Sequence, residues 1–268
     1  MNLMDGNRII NYLVETALLG HGLKSIEDDL IISLWPEDVT LAWVENGEII
    51  IGNISEFIPA RKQSKNWERL DGMAVLKNEY KGKNAFLTAS GTMAVARKIN
   101  CPVVVTAGIG GIGDIKSEQL SYDLPALSEM GITLVATSPK DMLDIPGTLN
   151  WLHENRVLTY GFNTGVCNGY ICVLEPSKLD KEISNNDLDN IPLGCNLILN
   201  PIPQERRLND LTLLEGAISA GKNAENKGEY YHPAANAYFD KSSNGLSSII
   251  QLEALVSNIK IAKKIILS

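Results

Sequence analysis

The stretch CPVVVTAGIGGIG (residues 101–113) decides the fold class. Its first half, Pro102–Thr106, is a short, continuous apolar run rich in β-branched residues. Such a run, closed by glycines, reads as a strand buried on both faces. Two similar runs follow, at Ile132–Ala136 and Val157–Gly161. Between them, Tyr122–Glu129 and Asp141–His153 have helical spacing. Buried strands alternating with helices predict an α/β protein: three layers, α/β/α, around a mostly parallel, mixed central sheet.

Upstream, Ile9, Tyr12, Leu13, Thr16 and Ala17 have helical spacing, which predicts a helix over Arg8–Leu19 ended by Gly20-His21-Gly22. A second helix is expected over Ile26–Leu34. Val39–Val44 and Glu48–Ile51 read as strands joined by a tight turn at Asn46-Gly47, a pair that accepts positive φ. Downstream, a helix is predicted over Ser177–Asp189 with Ser177 as its cap. Cys195–Leu199 reads as a strand stopped by Pro201 and Pro203. Asp210–Asn226 and Leu246–Leu267 read as amphipathic helices. With no internal repeat and no linker, residues 1–268 are read as a single domain.

Composition narrows the function classes. The chain has 268 residues, 44% hydrophobic and 21% charged, as in ordinary globular proteins. Lys and Arg number 24 against 32 Asp and Glu, a formal net charge of −8. That balance repels a polyanion, so no nucleic-acid partner is expected. No apolar run approaches the roughly 20 residues needed to span a bilayer, and no signal peptide is read at the N-terminus. No membrane partner and a cytoplasmic location are expected. Cys101, Cys167, Cys172 and Cys195 fit no zinc spacing and read as reduced thiols.

Several residues carry chemistry in one reading and structure in another. Gly108, Gly110 and Gly113 match G-x-G-x-x-G after a strand. The loop reads as a dinucleotide fingerprint, as a close backbone approach to another ligand, or as a structural turn. Lys140 follows a buried strand, where open sheets present their ligand crevice. Placed at a helix start it is misplaced by charge; it reads as a surface lysine or as an amine nucleophile. Glu15 reads as an exposed helix residue or as a half-buried general acid. Ser121-Tyr122-Asp123 reads as a helix cap or as a holder of an anionic or polyhydroxylated ligand. Arg61–Lys83 carries seven basic against three acidic residues, which reads as a solvated face or as part of an anion site.

Taken together, these segments resemble the pseudouridine-5′-phosphate glycosidase family, also called indigoidine-synthase-A-like. The matches run in order: Glu15-Thr16 with His21-Gly22, the turn at Asn46-Gly47, and Gly82-Lys83-Asn84 through Thr92-Met93. Then come Thr106-Ala107-Gly108-Ile109-Gly110-Gly111, Ser121-x-Asp123-Leu124, Lys140-x-x-Leu143-Asp144 with Thr148-Leu149, and Asn200-Pro201-Ile202-Pro203.

The resemblance implies an α/β/α fold, a homotrimer, and cleavage of the C–C bond between uracil and ribose 5-phosphate. By that resemblance Lys140 is the nucleophile and Glu15 the proton donor. Arg69, Ala89, Ser121, Tyr122, Asp123 and Gln251 fall on substrate-binding positions. The implied partner is a small nucleotide or sugar phosphate. The family also implies Mn²⁺ or another divalent cation, but Gln119 stands where its aspartate ligand is expected, and an amide is a poor ligand for such an ion. Arg69 replaces a lysine, Ala89 a valine and Gln251 an asparagine. His232-Pro233-Ala234-Ala235 replaces Thr-Pro-Phe-Leu. A related glycosidase or lyase acting on a different ribosyl compound, and a degenerate sugar-phosphate-binding protein, are the alternatives.

Overall fold

The structure is a computed structural model that describes residues 10–116 and 119–267. In chain order its strands are β1 (Tyr12–Val14), β2 (Leu41–Glu45), β3 (Glu48–Gly52), β4 (Glu68–Leu70), β5 (Ala85–Leu87), β6 (Val103–Val105) and β7 (Gly108–Ile109). They continue with β8 (Thr133–Ala136), β9 (Ser138–Pro139), β10 (Leu158–Phe162), β11 (Val166–Cys167), β12 (Ser177–Lys178), β13 (Lys181–Ile183) and β14 (Asn196–Leu199). The helices are α1 (Asp28–Leu34), α2 (Ile54–Lys62), α3 (Gly72–Leu76), α4 (Ala89–Lys98) and α5 (Asp123–Glu129). After these come α6 (Ile145–Glu154), α7 (Leu211–Asn226), α8 (Tyr231–Ser242) and α9 (Leu246–Leu267).

The central sheet has the order β13-β10-β14-β8-β6-β1-β2-β5-β4, with β3 hairpinned onto β2. From β13 to β2 every pairing is parallel. Successive residues of these strands point into two separate cores, as a period of two requires. Leu13, Val104, Leu134 and Leu197 pack with α4, α5 and α6 through Met93, Leu127 and Leu152. Val14, Val105, Val135 and Ile198 pack on the other face with Ile31, Phe57 and Ile259 of α1, α2 and α9. The expected three-layer α/β/α architecture with a mixed, mostly parallel sheet is the one observed. No helix among the described residues is long and apolar enough to cross a membrane.

The sheet reverses once on its path, between β2 and β5. That reversal positions the site. Because β2 begins beside the end of β1, with Val14 opposite Leu41, and β5 runs antiparallel to β2, β5 and its parallel neighbour β4 end close to the end of β1. Thr16 pins the junction. Its Oγ donates to the Ala42 carbonyl at 2.8 Å and accepts from the Leu87 amide at 3.0 Å. Two sets of strands therefore deliver their last residues to one place.

Three expectations about elements need correction. Tyr12–Val14 is a strand, not part of a helix over Arg8–Leu19; Arg8 and Ile9 lie outside the described residues. Pairing on both sides, with β6 and β2, overrides a spacing that was helical by coincidence. Ser177–Asp189 is also not a helix: it holds β12, the edge strand β13 and a short 3₁₀ turn. Finally, α9 is not one-faced. Ile250, Leu255 and Ile261 are buried as well as Leu252, Val256 and Ile259, so the helix fills a layer rather than coating it.

The Asn46-Gly47 turn forms as expected, with φ of 50° and 79°. A Cβ on Gly47 would lie 2.1 Å from the Gly82 amide nitrogen, so both conformation and contact demand glycine. Gly47→Ala should therefore destabilise the protein by about 1–3 kcal/mol, read as a lower urea midpoint at constant m-value. An unchanged midpoint would contradict this packing.

Candidate active site

Glu15 follows β1 directly and is 6% exposed. Its backbone amide bonds to the Val105 carbonyl at 2.9 Å, which fixes the residue against β6. Thr106, at the end of β6, donates its hydroxyl to the Glu15 carboxyl. Burial raises the pKa of this carboxyl above its ordinary value. Thr106 and the charges of Arg69 and Lys140 pull the other way, and Asp123 adds to the rise. A carboxyl in this state holds a proton where an exposed one has lost it, as a general acid must.

Lys140 arrives on a different element. Ser138–Pro139 pairs in parallel with Gly108–Ile109 of the glycine loop, and the Lys140 amide bonds to the Ile109 carbonyl at 3.2 Å. The expected helix start at Asp141 is wrong. Residues 141–143 form a turn, and α6 begins at Ile145 under the Asp144 cap, which accepts from the Gly147 amide at 2.9 Å. Lys140 thus stands ahead of the helix, and the macrodipole argument does not apply to it.

The glycine loop is packed against protein rather than opening a helix. A Cβ on Gly110 would lie 2.0 Å from the Ser121 hydroxyl, and one on Gly111 2.4 Å from that of Thr148. Gly108 is different: a Cβ there would meet the Tyr170 ring at 3.0 Å and the Lys140 stem at 3.3 Å. Its missing side chain lets lysine and tyrosine close on the loop.

Asp141 anchors the neighbouring segment. Its buried carboxylate accepts from the amides of Tyr170, Ile171 and Cys172 at 2.5, 2.9 and 2.9 Å. Burial pushes its pKa up to about 6, against the pull of those amides and of Arg207. Arg207 holds the same segment from below, donating to Asn168 and Gly169. Sequence reading missed Asp141, Tyr170 and Arg207: residues 163–174 read as irregular or strand-like, and the bonds joining them to Asp141 and Arg207 leave no local spacing to detect.

These elements surround a cleft that opens to solvent. Glu15, Arg69, Gly108, Lys140, Tyr170 and Gln251 line it together, although the chain separates them widely. His21 lines it too. Its Nε2 faces the carbonyls of Ser64 and Trp67 at 3.3 and 3.2 Å, so Nε2 bears the hydrogen, and burial lowers the ring's pKa. The helix α8, which sequence reading also missed, closes one side with His232, Asn236 and Phe239. The α8 sequence places Pro233 in the first turn, where no intrahelical N–H is lost.

The remaining expected site residues lie elsewhere. Ala89, Ser121, Tyr122 and Asp123 do not line this cleft. Asp123 is buried behind the glycine loop, where it accepts from the Ser90 and Gly110 amides at 2.9 and 2.8 Å. Ser121 bonds through its amide to the Gly111 carbonyl at 2.8 Å, and Ala89 opens α4 beside Ser90. The basic stretch also divides. Arg61 is spent on the carbonyls of Leu19, Leu23 and Ile26 and on Asp28, Lys83 pairs with Glu68, and Arg69 alone of its cations reaches the cleft.

Gln119 is exposed, and Ser117 and Glu118 beside it lie outside the described residues. Among the described residues no three His, Cys, Asp or Glu side chains gather as a metal site.

Comparison with known proteins bears on the family and the fold. A relative from Petrotoga mobilis, a pseudouridine-5′-phosphate glycosidase, is 26% identical over 94% of this chain and 89% of its own. Among solved structures, an indigoidine synthase A-like protein from Thermotoga maritima superposes with a TM-score of 0.78 at 22% identity, covering 95% of this chain and 91% of that one. A prealnumycin C-glycosynthase, solved with ribulose 5-phosphate, gives 0.75 at 19%, covering 95% and 89%. At those identities the two structures speak for the fold alone. The sequence pattern of the family described as indigoidine synthase A like protein matches residues 40–268, most of the chain, and the protein belongs to that family.

Proposed function

We propose that the protein is an enzyme that cleaves the C–C glycosidic bond of pseudouridine 5′-phosphate, or of a close C-nucleotide, giving uracil and ribose 5-phosphate. One observation carries the reading: Glu15 and Lys140, on separate elements, line the same cleft and share an electrostatic field. The activity named for the Petrotoga mobilis relative supports it.

A C-nucleoside offers no leaving nitrogen, so direct departure of the base would leave a poorly stabilised carbanion. In the proposed route the uracil ring pushes electrons toward C1′ and expels the ribose ring oxygen, which takes the proton held by Glu15. The Lys140 amine then adds to C1′. Protonation of uracil at C5 and donation from the lysine nitrogen break the C5–C1′ bond, leaving an imine between Lys140 and the open sugar. Water hydrolyses that imine and frees the sugar phosphate. Covalent capture divides one prohibitive step into easier ones. Arg69, the cation at the opposite strand ends, suits the phosphate.

The test is uracil release from pseudouridine 5′-phosphate. Wild-type protein should release uracil, Lys140→Ala should not, and Glu15→Gln should lower kcat by about 10²–10⁴-fold. Full turnover by Lys140→Ala would refute the route.

The pH profile tests the acid separately. Glu15 must be protonated to donate, so its contribution is lost as pH rises through its pKa. Because burial raises that pKa above 4.5, the loss should fall at a higher pH than for an ordinary glutamate, and Glu15→Gln should abolish it. A fall centred at 4.5 would contradict the buried acid.

A further inference from the structure

Shortly after Glu15, the chain forms a π-helical turn, Leu18–Gly22, that carries His21 to the cleft. Such turns are frequent at functional sites. The ring of His21 stands edge-on to Phe86 at 4.9 Å, and Phe86 in turn stacks on Trp67. Gly20 permits this approach, since a Cβ there would lie 2.2 Å from the Phe86 ring. Nε2 faces the carbonyls of Ser64 and Trp67. A carbonyl can only accept, so the hydrogen is on Nε2 and the lone pair on Nδ1.

Burial, helped by the charges of Arg69 and Lys24, lowers the pKa of the ring against the pull of the two carbonyls, so it is uncharged near neutrality. Ser64 and Trp67 close off Nε2 without lining the cleft themselves. Nδ1 accepts from no group among the described residues, nor is it one of the atoms sealed in without a partner. It is the nitrogen left for the cleft.

The proposed cleavage leaves one proton without a destination. Electrons that move from the uracil ring toward C1′ start at N1, which bears a hydrogen in a C-linked uracil. N1 turns cationic unless that hydrogen leaves. Few groups on the cleft can take it. Glu15 holds its own proton, Lys140 is needed as the nucleophile, and Asp141 is spent on three amides.

We propose that His21 is a further catalytic residue, the base whose Nδ1 takes the N1 proton of the uracil ring as the ribose ring opens. The inference rests on the reading of this cleft as a C-nucleotide site and deepens it. The N1–H pair becomes the N1=C6 bond, and the C6=C5 pair becomes C5=C1′. The C1′–O4′ pair leaves with O4′, which takes the proton of Glu15. When Lys140 adds to C1′ the electrons return, N1 recovers its proton from His21, and the imidazole ends neutral. An N-linked uracil has no hydrogen on N1 and cannot enter this path.

Two measurements test the assignment. The first needs no turnover: NMR of Lys140→Ala protein carrying nitrogen-labelled histidine, with His21 assigned by the loss of its signals in His21→Gln. Its Nδ1 signal should shift when pseudouridine 5′-phosphate binds and should not when the N1-methyl analogue binds. The second is uracil release. His21→Ala should lower kcat about 10²–10⁴-fold, and imidazole added to the buffer should restore part of the rate. A ring that only packs on Phe86 would give a slow variant that melts like the wild type and is not rescued, which would overturn the proposal. A shift that ignores the methyl group, a shift at His232 (which also lines the cleft) in place of His21, or no binding of either ligand would overturn it as well. If His21→Ala does not fold, the methyl-sensitive shift decides alone. Uracil release by the wild-type protein with no such shift sinks the role of His21 alone, whereas the shift with no release sinks the cleavage reading and leaves His21 as the acceptor of N1–H.

Discussion

The buried carboxyl of Glu15 is the constraint on which the rest of the site turns. A carboxyl at 6% exposure must keep its proton or find charge to balance it. Here the fold answers with Thr106 on one side and the cations Arg69 and Lys140 around it. None of these comes from the strand that carries Glu15. Thr106 follows β6, Arg69 lies in β4, and Lys140 follows β9. β2 starts beside the end of β1 and β5 runs back along it, so strands of opposite direction finish at one point, pinned by Thr16.

A second layer of interactions makes that point rigid. Asp141 is adjacent to Lys140 in sequence and bonds to three successive amides of the 170–172 segment. Asn258 of α9 donates to the Thr106 carbonyl at 2.8 Å and to the Thr137 hydroxyl at 3.0 Å, tying the helix that bears Gln251 to the ends of β6 and β8. Buried polar groups satisfied in this way hold one geometry rather than several. Side chains from six chain segments thus keep their relation across the cleft.

Much of this was legible in the sequence, for identifiable reasons. The strands at 102–106 and 132–136 are continuous β-branched runs, which little else explains, and they fixed the class of fold. Asn46-Gly47 announced its turn because few pairs accept positive φ twice. β1 was not legible: three apolar residues paired on both sides leave no alternation, and the neighbouring Ile9, Thr16 and Ala17 imitate a helix. Leu179 and Ile183, four apart, misled in the same way at the sheet edge. Glu15 and Lys140 lie in the ordered motifs, Arg69 and Gln251 stand where the chain departs from the family it resembles, and the structure gathers all four in one cleft. Tyr170 and Asp141 were invisible because their roles depend on contacts between segments that no local spacing encodes.

Trapping the covalent intermediate tests the central claim most directly. The protein is treated with borohydride during turnover of pseudouridine 5′-phosphate, digested, and its peptides weighed. The account predicts that the peptide containing Lys140 gains the mass of a reduced sugar phosphate. Uracil release at full rate with no adduct, or with the adduct on another lysine, would contradict it.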